Sequence, residues 1–168
     1  MARTRSEPSA PAGRILGDVY GFLAFGGGAG LAPIAPGTFG TLVAVPIYAL
    51  LSHLSRAWYL AIVLVLLLAG VRICRLCEER LGVKDHPGIV WDEIVGYLIA
   101  MSSVPFSWKA AVLGFVLFRT FDVLKPWPIS RLDRTVRGGL GIMLDDAAAG
   151  AFTAFCLSLL NAYTGIQN

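Results

Sequence analysis

Residues 84–104 read KDHPGIVWDEIVGYLIAMSSV, a group of charged and polar residues that runs directly into an apolar stretch. The adjacent acids Asp92 and Glu93 stand immediately before that stretch, in the first turn of a predicted helix. A helix dipole favours an acid there, but one acid is enough for that purpose. Because charge beside apolar sequence is costly to desolvate, the pair indicates a compensating cation.

The composition around this segment is that of an integral membrane protein. The chain has 168 residues, of which 56% are hydrophobic and only 15% are charged, against about 25% charged in soluble domains. The length predicts one domain. Residues 1–15 are polar and rich in Pro, Ala and Ser, so we expect a flexible N-terminal tail rather than a signal peptide, followed by a single helical membrane domain over 16–168.

The apolar stretches predict an all-α, multi-pass membrane protein with about four to five transmembrane or partly inserted helices. A helix needs about 20 residues to cross the hydrocarbon core. Several of these stretches are shorter, so polar flanking residues must extend them or some helices enter only partway. The stretches cover residues 42–54, 57–71, 94–104, 106–118 and 147–163.

The basic residues predict the orientation in the membrane. Of the 14 Lys and Arg residues, all but Arg56 and Lys109 fall in segments on one side of the predicted helices. The positive-inside rule makes that side cytoplasmic. The acidic groups share this side, so we expect the functional site to face the cytoplasm.

A second acidic pair indicates a metal site. Asp145 and Asp146 follow GGLGIML and precede AAAGAFTAF, so they stand at another predicted helix entrance. Carboxylate oxygens are the ligands that Mg²⁺ prefers. The sequence therefore predicts one or two magnesium ions held by the two acidic pairs, Asp92, Glu93, Asp145 and Asp146. Asp85 and His86 are additional candidates, although His86 could equally be an acid–base group or an ordinary loop histidine.

Arg119, Asp122 and Lys125 recur at three-residue spacing, which places them on one face of a helix. An exposed ion-pair ladder would contribute little to stability. The ladder ends, however, at Pro126-Trp127-Pro128, which would stop the helix and fix Lys125 at its end. Beside metal-bound carboxylates, the Arg guanidinium can donate two parallel hydrogen bonds to a phosphate dianion, and the Lys ammonium can bind it as a compact positive charge.

The loop over residues 26–41 is rich in glycine and ends in PGTFGT at a predicted helix start. Glycines allow close backbone approach to an anion, and a helix start presents free N–H groups. We therefore include Thr38, Gly40 and Thr41 as candidate phosphate contacts. The alternative is a Thr N-cap with glycines that serve helix packing, and the loop alone does not separate the two.

The segments APGTFGT, DHPGIVWDE, FRTFDVLKPWPIS and GGLGIMLDDAAAG, in this order between about Gly26 and Gly150, together resemble the phosphatidylglycerophosphatase A family. The resemblance implies a bacterial inner-membrane enzyme that uses Mg²⁺ to remove the terminal phosphate of phosphatidylglycerophosphate, giving phosphatidylglycerol. Its expected partners are this phospholipid and membrane lipids, with no nucleic acid. The implied catalytic acids are Asp92, Glu93, Asp122, Asp145 and Asp146, and the implied bases are Arg119 and Lys125.

Two questions stay open from the sequence. The attacking group could be a metal-activated water, with Asp122 as its base or as a further ligand, or an Asp that forms an aspartyl-phosphate. The alternative function is a small membrane ion transporter with an interfacial cation site. A transporter predicts acids spread through the membrane depth, whereas these acids cluster beside Arg and Lys.

Overall fold

The computed structural model describes residues 15–84, 86–127, 129–131, 136 and 138–164. Within these residues the fold is all-helical, as predicted, and contains no strand. The predicted tail lies outside the described residues apart from Ile15. The helices are α1 (Val19–Ala24), α2 (Pro36–Leu51), α3 (Arg56–Leu81), α4 (Trp91–Met101), α5 (Trp108–Leu124) and α6 (Gly139–Thr164), with a 3-10 segment at Gly26–Leu31.

The five predicted apolar stretches coincide with α2 to α6, but few of these helices are long. Among the described residues, α3 and the Gly139–Tyr163 part of α6 are long and apolar enough to cross a membrane, and α2 is a shorter apolar helix. The described residues thus contain two helices long enough to cross a membrane, whereas the sequence predicted about four to five helices that cross it or enter it partway. The central helix α4 has only 11 residues, or about 16 Å of length.

Two hairpin turns meet at one end of the bundle. The hydroxyl of Tyr48 on α2 donates to the carbonyl of Val104 at 3.2 Å, and that of Tyr59 on α3 donates to the carbonyl of Leu98 at 2.7 Å. These bonds join the α2–α3 turn to the α4–α5 turn. The opposite end of the bundle therefore contains the first turns of α2, α4 and α6 together with the last turns of α3 and α5.

Helix α4 is the core of the fold, since every residue from Ile94 to Leu98 is buried. It crosses α6 at two glycines. A Cβ on Gly96 would lie 2.8 Å from the backbone oxygen of Asp146, and a Cβ on Gly150 would collide with the backbone oxygen of Gly96. This backbone contact brings Asp146 close to the beginning of α4.

The start of α6 differs from the sequence prediction. Asp145 and Asp146 were expected at a helix entrance, but α6 begins at Gly139, so the pair lies about two turns inside the helix. A Cβ on Gly139 would collide with the backbone oxygen of Val71 on α3. Close packing against α3 thus outweighs the low helix propensity of the glycines in GGLG.

Candidate active site

The end of the bundle opposite the two hairpin turns contains a cleft of about 1090 Å³. All five of the longer helices contribute to its wall. Most of the residues predicted for the site line this one cleft, namely His86, Asp92, Glu93, Arg119, Asp122, Lys125, Asp145 and Asp146. The fold therefore brings together side chains from three separate blocks of sequence.

Three carboxylates converge inside the cleft. One oxygen each from Asp92, Glu93 and Asp146 lies within 4.8 Å of the other two, and Asp146 is only 3% exposed. The atoms Asp92 Oδ1, Glu93 Oε2 and Asp146 Oδ2 are buried and have no hydrogen-bond partner among the described residues. Buried oxygens without partners are costly, and a hard cation such as Mg²⁺ would satisfy them. The donor set thus fits the predicted metal.

Electrostatics at the start of α4 point the same way. Carboxylates that share one largely buried site repel one another, and a bound cation would offset that repulsion.

The basic side chains predicted for phosphate binding border this cluster. Arg119 Nη1 lies 2.5 Å from Asp122 Oδ2 and 3.6 Å from Glu93 Oε1. Lys125 Nζ forms an ion pair with Asp145 Oδ2. Of the four predicted metal ligands, Asp145 therefore faces Lys125, whereas the other three form the converging group.

Backbone strain is concentrated at the cleft. Among the described residues, two that are not glycine have positive φ, Ala35 at 49° and Lys125 at 42°, and both line the cleft. The left-handed region costs such residues roughly 1 kcal/mol or more. Strain of this kind persists where the surrounding structure imposes it, and it clusters at functional sites.

The glycine-rich loop contributes a different residue from those predicted. Thr38, Gly40 and Thr41 are not among the residues that line the cleft. Thr41 is fully buried and its hydroxyl donates to the Gly37 carbonyl at 2.9 Å. Gly37 itself lines the cleft, and a Cβ there would collide with the Glu93 carboxylate. The sequence signal for it was the Pro-Gly pair at the helix start.

Of the two remaining candidates, the structure describes only His86. Asp85 lies outside the described residues. His86 lines the cleft, and its Nδ1 accepts a hydrogen bond from the Gly88 backbone N–H at 3.0 Å, but it is not part of the converging group. Two further basic residues, Arg75 and Lys84, line the cleft near the end of α3, where Arg75 pairs with Glu79 at 2.9 Å.

Comparisons with known proteins identify relatives of this chain. The profile of the family described as Phosphatidylglycerophosphatase A matches residues 22–161. The chain is 42% identical to phosphatidylglycerophosphatase A of Escherichia coli (strain K12), with 92% of this chain and 86% of that protein covered. It is 41% identical to the Haemophilus influenzae protein of the same name, with 77% and 81% covered. A Bacteroides thetaiotaomicron protein whose name proposes a phosphatidylinositol-3-phosphatase is 34% identical, with 80% and 88% covered. No solved structure matches the chain.

Proposed function

The chain belongs to the phosphatidylglycerophosphatase A family, and we propose that it hydrolyses the terminal phosphate monoester of phosphatidylglycerophosphate to give phosphatidylglycerol and inorganic phosphate. Its relatives make it an enzyme of the phosphatase class. The observation that carries the site assignment is the convergence of three carboxylates, each with a buried oxygen that has no partner among the described residues, directly beside Arg119. Such a site provides both a place for a cation and a positive group for a phosphate.

The resident metal in this proposal is Mg²⁺, held by Asp92, Glu93 and Asp146, with Asp145 as a further ligand. When bound, the ion would neutralise the carboxylates, polarise phosphoryl oxygens and make a bound water more acidic. The support for it is chemical, because all donors are carboxylate oxygens and three of them lack other partners among the described residues.

The chain's own residues supply the remaining roles. The Arg119 guanidinium donates two hydrogen bonds to phosphoryl oxygens. The Lys125 ammonium binds them as a positive charge once its ion pair with Asp145 has broken. Asp122, oriented by Arg119, accepts the proton of the attacking water. The water oxygen bonds to phosphorus while the bond from phosphorus to the glycerol oxygen breaks, and that oxygen then takes up a proton.

We propose a multi-pass location in the bacterial inner membrane, with the cleft facing the cytoplasm. Helices α3 and α6 serve as full crossings, and α2, α4 and α5 enter partway to complete the predicted four to five insertions. The charge distribution supports this orientation, since Arg75, Lys84, Arg119 and Lys125 line the cleft whereas Arg56 lines the small cavity at the opposite end.

The test is phosphate release from phosphatidylglycerophosphate by the purified chain in lipid nanodiscs, with Mg²⁺ or with EDTA. We expect activity only with the metal, and a loss of at least about a hundredfold in Asp92→Asn and Asp146→Asn. Asp18→Asn is the matched control, because Asp18 pairs with Arg80 outside the cleft. Absence of release with any divalent cation would overturn the proposal, and an active Asp146→Asn would remove that residue from the site.

A second experiment separates the two possible nucleophiles. If water attacks directly, an acid quench should trap no phosphoenzyme of the kind that hydroxylamine cleaves, and hydrolysis in ¹⁸O-labelled water should place one label in each phosphate released. Trapping of a phosphoenzyme that Asp92→Asn or Asp122→Asn abolishes would instead establish an aspartyl-phosphate.

A further inference from the structure

The carboxylate cluster lies beside the middle of α3, one of the two 26-residue helices, and not at its end. At the start of α4, the indole N–H of Trp91 donates to the carbonyl of Leu66 on α3 at 3.2 Å. A Cβ on Gly70 would lie 2.8 Å from the ring of the same tryptophan. Because α3 begins at Arg56, Leu66 lies about 15 Å along it, with about 22 Å of helix still to follow.

The other helices give the same depth. Helix α4 runs about 15 Å from Trp91 to Met101, and Met101 lines the small cavity that Arg56 also lines. On α6, the carbonyl of Ala154 accepts a hydrogen bond from Ser103 in the α4–α5 turn at 3.1 Å. Asp146 is eight residues earlier, or about 12 Å away. Along all three helices, the cluster is therefore 12–15 Å from the hairpin turns by this approximate measure.

The outer surface of α3 at this level is apolar. Leu64, Val65 and Leu68 are 54%, 63% and 64% exposed. The first charged residue beyond them is Arg72, about 9 Å along the helix from Leu66, and Arg75 on the cleft wall is about 14 Å from Leu66. A hydrocarbon core of about 30 Å that covers these leucines and the valine must also extend past the level of the carboxylates.

We infer, given the membrane function proposed above, that the reaction takes place within the thickness of the bilayer, about 10 Å below the interface marked by Arg72 and Arg75. The lipid's phosphorylated head group descends into the cleft, whose wall continues from Asp92 up to Arg75 and Lys84. This differs from the boundary position expected from the sequence. Fewer waters surround charges at that depth, so each contact to the phosphate is stronger than at the membrane surface.

The depth can be measured with nitroxide labels in nanodiscs. The labelled cysteines are introduced into the Cys156→Ser variant, which keeps only the buried Cys74 and Cys77. Labelling of that variant alone measures the residual signal from these two cysteines. Single cysteines replace Leu68, at the level of the cluster, and Glu79, on the cleft wall near the end of α3. We expect the Leu68→Cys label to relax about threefold faster with oxygen than with a water-soluble nickel complex, as inside hydrocarbon, and the Glu79→Cys label to show the reverse preference.

Val65→Cys provides a second position at the same level if Leu68→Cys does not fold. Labels at both positions that prefer the nickel complex would overturn the inference. Phosphate release from the same nanodiscs tests the proposed function separately. Activity with nickel-accessible labels would refute the depth alone, whereas oxygen-accessible labels without phosphate release under any divalent cation would refute the function alone.

Discussion

The substitution Gly37→Ala tests the geometry of the cluster most sharply. Gly37 lies in the first turn of α2, and a Cβ there would collide with Glu93 Oε1 and lie 3.0 Å from Arg119 Nη1. The added methyl group must displace the Glu93 carboxylate, because the Gly37 backbone is held in the helix. Displacement of a group that holds or orients a metal typically costs about 10–100-fold in metal affinity. We expect the half-saturating Mg²⁺ concentration to rise by a similar factor.

The assay is the Mg²⁺ dependence of phosphate release, with the Mg²⁺-induced shift in Tm as a measure that does not need turnover. Alanine within a helix is about 1 kcal/mol more favourable than glycine, so general loss of the helix would not explain weaker binding. Gly40→Ala is the matched control, since its Cβ would lie 2.6 Å from the Val90 side chain and away from the carboxylates. It should lower Tm and leave the Mg²⁺ midpoint unchanged. A wild-type midpoint in Gly37→Ala would refute the reasoning.

Three further predictions concern the cleft and the helix beside it. Lys125→Gly relieves the strain of a positive φ, worth roughly 1 kcal/mol, but removes the ion pair with the buried Asp145, which outweighs that gain; stability should therefore fall, and phosphate release should fall at least about tenfold because the point charge is lost. Unchanged activity would exclude Lys125 from phosphate binding. Arg119→Lys keeps the charge but replaces the planar guanidinium, whose Nη1 contacts both Asp122 and Glu93, with a single ammonium group, so kcat should fall about tenfold or more, whereas Arg75→Gln serves as a cleft-wall control with a smaller effect. Thr41→Val leaves the hydroxyl's acceptor, the Gly37 carbonyl, within its helix, so stability should drop by only about 1 kcal/mol with activity retained; a large loss of activity in the folded variant would support the original phosphate role of Thr41.

The sequence predicted the helices well because hydrophobicity determines where they lie. It could not predict that α6 begins at Gly139, since that depends on close packing against Val71 of another helix. Helical spacing correctly predicted the contact between Arg119 and Asp122, but Lys125 lies just beyond the end of α5 in the left-handed region and is not part of that face.

The partners of these side chains were harder to predict. Lys125 pairs with Asp145, which is 20 residues away in sequence, and helical spacing contains no information about such a contact. The sequence also could not predict the level of Asp92 along α3. The apolar stretch that follows Asp92 would be the same whether α4 began at the end of α3 or beside its middle. Gly37 was overlooked because a missing side chain has significance only once its neighbours, here Glu93 and Arg119, are known.

The crossing of α4 and α6 at Gly96 and Gly150 separates the chemistry from the exterior. Main-chain atoms in direct contact fix the spacing between Asp92 and Asp146, and α4 is shielded by its neighbours along most of its length. The residues that face outward, such as Leu64, Leu68 and Val112, have no part in that spacing. The outer shell could therefore be redesigned with polar side chains to give a water-soluble version that keeps the carboxylates at the same spacing.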